Sequence, residues 1–506
     1  MGTRRTTAAV LCATAVVCSC GDQPTHRANT LTILYAPPSD ERVLGLPYDT
    51  EAKFLFFLPL TTENVHGELE GRLARSWEHS PDYRSWTVHL RSDVRWHDGT
   101  RVTAHDIKFT LDLMKHPDVL WADPNGYEVS VVDDTSYSIT YRKPGGGNPL
   151  DTWTVYYPKH LLDRLDPAEF ASWEFWVRPV GNGPYRYVHH VPGAMVELEA
   201  NPDYYRGRPT IDRVVLKFGG QPFAELLSGS VDVVATEADV VKLAGDPRFR
   251  VYHSFGPANQ AIVWNHRHPA FRDPRVRRAL TLAIDRRELL SVLNLPAGAP
   301  VFDVLYTDDQ FRAGELPPAL PYDPREASRL LEDAGWRDTD GDGILEHNGQ
   351  PFAFTALVSG DRLQRAAVYV QSQLRRIGIR MEVQTLEVRA LFARIRERDF
   401  DAVLAEMHLR GDRTSGSLNF EEDSPIGYTN PEVGSLLRRA RESLDPAERD
   451  HSYRALWPAF QKDLPVTFLH RVMGTTIAHR RVRGLASPGR VDPVSHIEEV
   501  WLEREQ

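Results

Sequence analysis

Leu73 to Gly99, LARSWEHSPDYRSWTVHLRSDVRWHDG, decides how this chain folds. Trp86, Val88 and Leu90 alternate with polar neighbours, the period of a half-buried strand. Trp77 and Trp86 are large apolar groups placed to fill a core. Trp96-His97-Asp98-Gly99 closes the stretch as a tight turn, with Gly99 supplying a positive φ.

The same period returns at Tyr137, Ile139 and Tyr141 and at Val214, Leu216 and Phe218. Between such strands lie helices that start with one repeated device. Asp273-Pro274, Asp323-Pro324, Asn430-Pro431 and Asp445-Pro446 each put an Asx side chain before proline. The Asx oxygen accepts an orphan N–H of the first turn, and proline has none to lose there. Behind Asp273 the apolar residues Val276, Ala279, Leu280 and Ala283 recur at helical spacing. Behind Asp323 the stripe is Ala327, Leu330, Leu331 and Ala334, stopped by Gly335; behind Asn430 it is Val433, Leu436, Leu437 and Ala440. Thr103 with Asp106 forms a capping box ahead of Ile107, Leu111 and Met114, with Pro117 beyond. Interleaved periods of both kinds predict an α/β protein with mixed sheets and many capped helices.

The 506 residues suffice for two or three domains. Sixty basic against 70 acidic side chains give a net charge of -10, which argues against a nucleic-acid partner. The N-terminus carries Arg4 and Arg5, then the apolar Ala8 to Val17. Ten residues suit a signal peptide, whereas a spanning helix needs about 20. Val17-Cys18-Ser19-Cys20 follows, then Gly21-Asp22-Gln23-Pro24; this resembles a bacterial lipobox with Cys20 as the lipidated residue, residues 1–20 being the signal and 21–30 a tether. Cys12, Cys18 and Cys20 are the chain's three cysteines, so the remainder has no disulfide, thiol catalyst or Cys-based metal site.

Several segments resemble family 5 of the bacterial extracellular solute-binding proteins, the group that contains dipeptide and oligopeptide receptors. Leu73–Gly99 carries the strongest match, followed by the helix at Thr103 to Asp106. Pro158-Lys-His-Leu-Leu162, Gly181-Asn-Gly-Pro-Tyr185, Asn201-Pro-Asp-Tyr-Tyr205, Arg275-Val-Arg-Arg-Ala-Leu280 with Ala283-Ile-Asp285, Tyr322-Asp-Pro324, Ala334-Gly-Trp336 and Tyr428-Thr-Asn-Pro-Glu432 continue it in the family's order. The resemblance implies a type II periplasmic-binding-protein-like fold, with two lobes joined by hinge crossings and an extra small domain. Transferred here, lobe I comprises 30–50, 180–265 and 471–506, the extra domain 51–179 on lobe I, and lobe II 266–470. The implied function is capture of a small solute, foremost a peptide, between the lobes for a membrane ABC permease. The implied form is a lipid-anchored, extracytoplasmic monomer.

A receptor that accepts many peptides reads what all peptides share, and a buried ligand ammonium demands a carboxylate. In the family's peptide receptors an aspartate just after a distal-lobe strand has that role. The corresponding stretch is Phe400-Asp-Ala-Val-Leu-Ala-Glu-Met-His-Leu-Arg-Gly-Asp412. Where the family has a tryptophan before the aspartate, this chain has Glu406-Met407-His408 at altered spacing. Asp412 is the preferred ammonium partner and Glu406 the second, with His408 beside it; a solvated loop is the alternative. Trp264-Asn265 falls near the expected second crossing, which makes Asn265 a candidate ligand-facing hydrogen-bonder and Trp264 a candidate ligand contact beside it; alternatively Asn265 caps the turn into His266 to Pro269.

Metal and catalytic readings are weaker. Asp338-Thr-Asp340-Gly-Asp342-Gly343 imitates the start of a calcium loop, but position 12 is Gly349 where a bidentate Glu is needed, so a hairpin loop is expected. Neither His189-His190 nor His266-Arg-His268 has a third ligand at helical or strand spacing. No Gly-x-Ser-x-Gly or His-Glu-x-x-His occurs, so neither of these hydrolase motifs, nor any cofactor motif, is legible.

Overall fold

The structure, a computed structural model, describes residues 29–35, 52–63, 69–116, 119, 126–142, 149–150, 154–235, 243, 245–295, 299–408, 420, 424–443, 445–485, 494 and 496–503. The signal segment, Cys20 and most of the tether lie outside them.

Among the described residues one ten-stranded sheet runs through the molecule, in the order Arg380–Thr385, Ala353–Val358, Ala402–His408, Phe249–Trp264, Val466–His479, Val233–Ala235, Thr30–Tyr35, Arg213–Phe218, Met195–Ala200, Tyr185–Val191. Its two long central strands, Phe249–Trp264 and Val466–His479, pair antiparallel along their length and change neighbours halfway. Ala402–His408 pairs with the Ala258–Trp264 half, while Val233–Ala235 pairs with Thr476–Ala478. These strands are the crossings between two lobes.

Each lobe covers both faces of its half-sheet. In lobe I, Leu31, Ile33, Val214 and Leu216 enter one core, and Leu34, Val234 and Ile477 enter another. In lobe II, Ile262, Trp264, Ala402 and Leu404 pack under the helices Pro274–Leu282, Pro324–Asp333 and Asp361–Arg375. On the other face Ala261, Val263, Val403 and Met407 pack under Pro431–Glu442 and Pro446–Asp463. The border set at 265 therefore moves toward the N-terminus: the Ala261–Trp264 run is already inside lobe II's two cores.

The helix starts follow the Asx–Pro device. Asp273, Asp323 and Asp445 accept from the N–H of Arg275 (2.8 Å), Glu326 (3.0 Å) and Ala447 (3.0 Å), and Asn430 from Glu432 (3.0 Å) and Val433 (3.2 Å). Each such cap contributes about 1 kcal/mol.

The small domain is a four-stranded antiparallel sheet, ordered Ala74–His79, Ser85–Leu90, Ser136–Tyr141, Tyr127–Asp133, with helix Ala104–Leu113 against it. Trp86 stands opposite Ile139 and Val88 opposite Tyr137, all buried. Its core is continuous with that of lobe I. Two of the motifs that carry the family resemblance meet at this joint. Asn182 and Gly183 donate their N–H to the carbonyl of Phe56 (2.8 and 2.7 Å), and a Cβ on Gly181 would stand 1.9 Å from that oxygen. The Gly181-Asn-Gly183 glycines are there for close backbone approach. The His97 ring bridges the same loop: Nε2–H donates to Gly183 O (3.1 Å) and Nδ1 accepts from Gly181 N–H (3.2 Å).

Candidate functional site

The crossing strands break register first between the pairs Phe255–Met473 and Asn259–Arg471, where Gly256, Pro257 and Ala258 face Val472, and again by one residue between Gln260–His470 and Ala261–Phe468. At the wider break Pro257 cannot donate a ladder hydrogen bond. The change of lobes therefore falls at Gly256–Ala258. Gly256-Pro257 is its local trace in the sequence, a few residues before the Trp264-Asn265 position near which the crossing was expected.

That shift decides the fate of two predicted ligand residues. Trp264 is fully buried, packs against Phe271 and Phe354 and donates Nε1–H to Thr467 Oγ1 (3.1 Å). Its surface is spent in the lobe II core. Asn265 is buried and used at both ends: Nδ2 donates to Phe400 O (2.6 Å) and Oδ1 accepts from Arg267 N–H (3.0 Å). The turn-capping alternative is the arrangement observed, and the ligand-facing expectation for both residues is corrected.

Glu406 has the opposite placement. Along Ala402–His408 the side chains of Ala402, Leu404 and Glu406 share one face, and Glu406 is the last of them before the register break. It stands opposite Gln260, is one-third exposed, and forms an ion pair with Arg362 from the first turn of helix Asp361–Arg375. A cation at that end of a helix works against the helix dipole and gains from a carboxylate partner. Arg362 carries no short-range signal in the sequence that marks it among its neighbouring arginines.

Beneath this pair lies a buried polar layer. His470 Nδ1–H donates to Arg471 O (2.8 Å), which leaves Nε2 as an acceptor. Gln260 Oε1 is placed 2.9 Å from Nε2; with Nε2 an acceptor, the amide is assigned the turned orientation that aims its NH2 at the ring. Burial, aided by Arg362, holds His470 below its ordinary pKa against the pull of Glu406, so the imidazole is neutral. On the other face of the strands Asn259 Oδ1 accepts from Tyr306 O–H (3.0 Å). The hinge end of lobe II thus presents one partly exposed carboxylate beside a guanidinium, backed by buried amide and imidazole groups.

His408 ends its strand opposite Ala258, with its side chain outside the described residues. Asp412 also lies outside them. Asp338, Asp340, Asp342 and Glu346 bring carboxylate oxygens within 4.8 Å of one another. These carboxylates are spent on their own loop: Asp338 accepts from Gly341 and Gly343 N–H, Asp342 from Ile344 N–H, and Glu346 from Thr339 N–H. At His496, Glu498 and Glu499 the cation is Arg72, whose Nη2–H donates to His496 Nδ1 (2.6 Å).

Residues 68–420 match the family described as bacterial extracellular solute-binding proteins, family 5 (middle). The chain is 28% identical over 485 residues to the oligopeptide-binding protein AppA of Bacillus subtilis, covering 90% of this chain and 87% of that protein. The structure of that protein in complex with a nonapeptide superposes with a TM-score of 0.76 at 26% identity, covering 94% of this chain and 99% of the other. NikA from Brucella suis in complex with Fe(III)-EDTA shares the fold, with a TM-score of 0.78 at 20% identity over 94% of this chain and all of that one.

Proposed function

The chain belongs to the bacterial extracellular solute-binding proteins of family 5, and from that premise we propose that it is the peptide receptor of an ABC importer. It captures a peptide between its lobes and passes it to a membrane permease, with no bond made or broken. The observation that carries the reading is the Glu406–Arg362 pair beside the hinge. A peptide with free termini is a zwitterion, complementary to a carboxylate and a guanidinium on one wall. Asp412 or Glu406 takes the ammonium, and Arg362 takes the carboxylate. Closure about the crossing strands then desolvates both contacts, which strengthens them.

The receptor works outside the cytoplasm as a monomer, held at the membrane by lipid on Cys20. Each buried CH₂ contributes about 0.8 kcal/mol, so a multiply acylated terminus stays on the bilayer. Cys20→Ala releases the protein into the soluble fraction; retention on membranes would remove the anchor from this reading.

Native mass spectrometry of gently purified protein, followed by release and identification of the bound ligand, tests the peptide assignment. Co-purified peptides of a narrow length range support it. A sugar or a metal chelate in their place would leave the fold and overturn the ligand class.

A further inference from the structure

We infer that Arg471 is the positioning residue of the hinge, holding the irregular stretch of the first crossing strand to lobe II so that closure is confined to the register break. The inference deepens the closure reading above and rests on it.

Arg471 sits on the second crossing strand in the last pair before the break and is 4% exposed. Its main-chain N–H leaves the ladder and donates to Pro300 O (3.0 Å). Its side chain reaches back across the break: Nε–H donates to Gly256 O (2.8 Å). The guanidinium carbon Cζ lies over the Phe311 ring, 4.1 Å from its centroid, and 5.8 Å from that of Tyr306. Tyr306 in turn donates to Asn259, the residue paired with Arg471. Two residues on, Met473 packs with Leu290 and Ala299 of lobe II.

One side chain thereby ties together the first crossing strand, the second crossing strand and the helix Asp308–Ala313. A buried cation is costly unless it finds partners. Here Gly256 O takes the Nε–H, and the Phe311 ring lies against the charge. Arginine is needed because only a planar guanidinium donates in its plane while stacking on a ring; a lysine ammonium cannot do both. With the carbonyl of Gly256 fixed, the backbone changes of closure fall on the first, wider break around Pro257, and the lobe II face beside it, from Ala258 paired with His408 onward, moves as one body.

The test reads the hinge without any ligand, so it stands even if the ligand is not a peptide. In the full chain with Cys12→Ser, Cys18→Ser and Cys20→Ser, spin labels on Ser228→Cys in lobe I and Ser435→Cys in lobe II report the lobe-to-lobe distance. The native Arg471 protein gives a narrow distribution. Arg471→Lys and Arg471→Met each widen it at least twofold, with Lys no better than Met despite its charge. Phe311→Leu, which leaves Arg471 in place, widens it in the same direction and serves as the test if both Arg471 variants fail to fold. A residue that only stabilises the fold would lower the melting temperature and leave the width alone. Unchanged widths in the folded variants overturn the inference.

Discussion

Arg277 donates to the main-chain oxygen of Asp463 through Nε (3.0 Å) and Nη2 (2.6 Å), joining two helices of lobe II across 186 positions of sequence. Nε also reaches Leu464 O (3.1 Å), and Nη1 reaches Phe271 O (2.6 Å) and Arg272 O (2.9 Å). The guanidinium thus closes the carbonyl end of Pro446–Asp463, where a cation also suits the helix dipole. Burial lowers its pKa to about 10 while the Asp463 charge pulls the other way, so it stays charged. Arg277→Met should cost roughly 3–5 kcal/mol, because several buried carbonyls lose their donor together. Arg275, on the same helix but exposed and paired with Asp273, should change stability by less than about 1 kcal/mol on replacement by Ala. Urea unfolding of the two variants separates them.

His97 gives stability a pH dependence. Both ring nitrogens are used, Nε2 as donor and Nδ1 as acceptor, so a second proton has no place. Burial pushes its pKa down to about 4. As pH falls through about 6.5 the unfolded chain takes up a proton that the folded chain refuses until about 4. The contribution is therefore complete above 6.5 and is lost on acidification across that window, by at most about 1.4 kcal/mol per pH unit. His97→Asn should lower stability at pH 7.5 by roughly 1–2 kcal/mol for the lost hydrogen bonds. It should also flatten the slope between pH 6.5 and 5; a slope equal to that of the parent would show that His97 is not its source.

Trp264 and Asn265 separate what was legible in the sequence from what was not. Strand alternation at Trp86 to Leu90 and the Asx–Pro helix starts are short-range, and each appears in the structure where it was read. The unbroken apolar run Ala261 to Trp264 also had a short-range meaning, a strand covered on both faces, which places Trp264 in a core. Its assignment to the ligand ignored that run. The change of lobes depends on partners in Val466–His479, some 200 residues away, and Gly256-Pro257 is its faint local trace. Arg362 could not be paired with Glu406, nor Arg277 chosen among its neighbouring arginines, without the three-dimensional arrangement. Trp264→Ala should accordingly cost about 3–5 kcal/mol of stability, with ligand affinity per folded molecule unchanged. A tenfold loss of affinity in the folded fraction would return Trp264 to the binding surface.

Glu406 and Asp412 are the two proposed partners of the ligand ammonium, and blocked peptides decide between them. A charge-assisted hydrogen bond to a desolvated ammonium is worth about 1.5–3 kcal/mol, roughly a factor of 10–100 in Kd. N-acetylating a peptide ligand should therefore weaken binding to the parent protein by that factor. If Glu406 holds the ammonium, Glu406→Gln already lacks the contact, and acetylation should then cost it almost nothing further. If Asp412 holds it, the acetylation penalty persists in Glu406→Gln and vanishes in Asp412→Asn. Arg362 follows the same logic at the other terminus: Arg362→Met should bind a peptide and its C-terminal amide equally, while the parent prefers the free carboxylate. Removing Arg362 also strips Glu406 of its ion-pair partner. The Arg362→Met/Glu406→Gln double variant should therefore bind a doubly blocked peptide as well as the parent does, because neither charge is then left uncompensated when the lobes close.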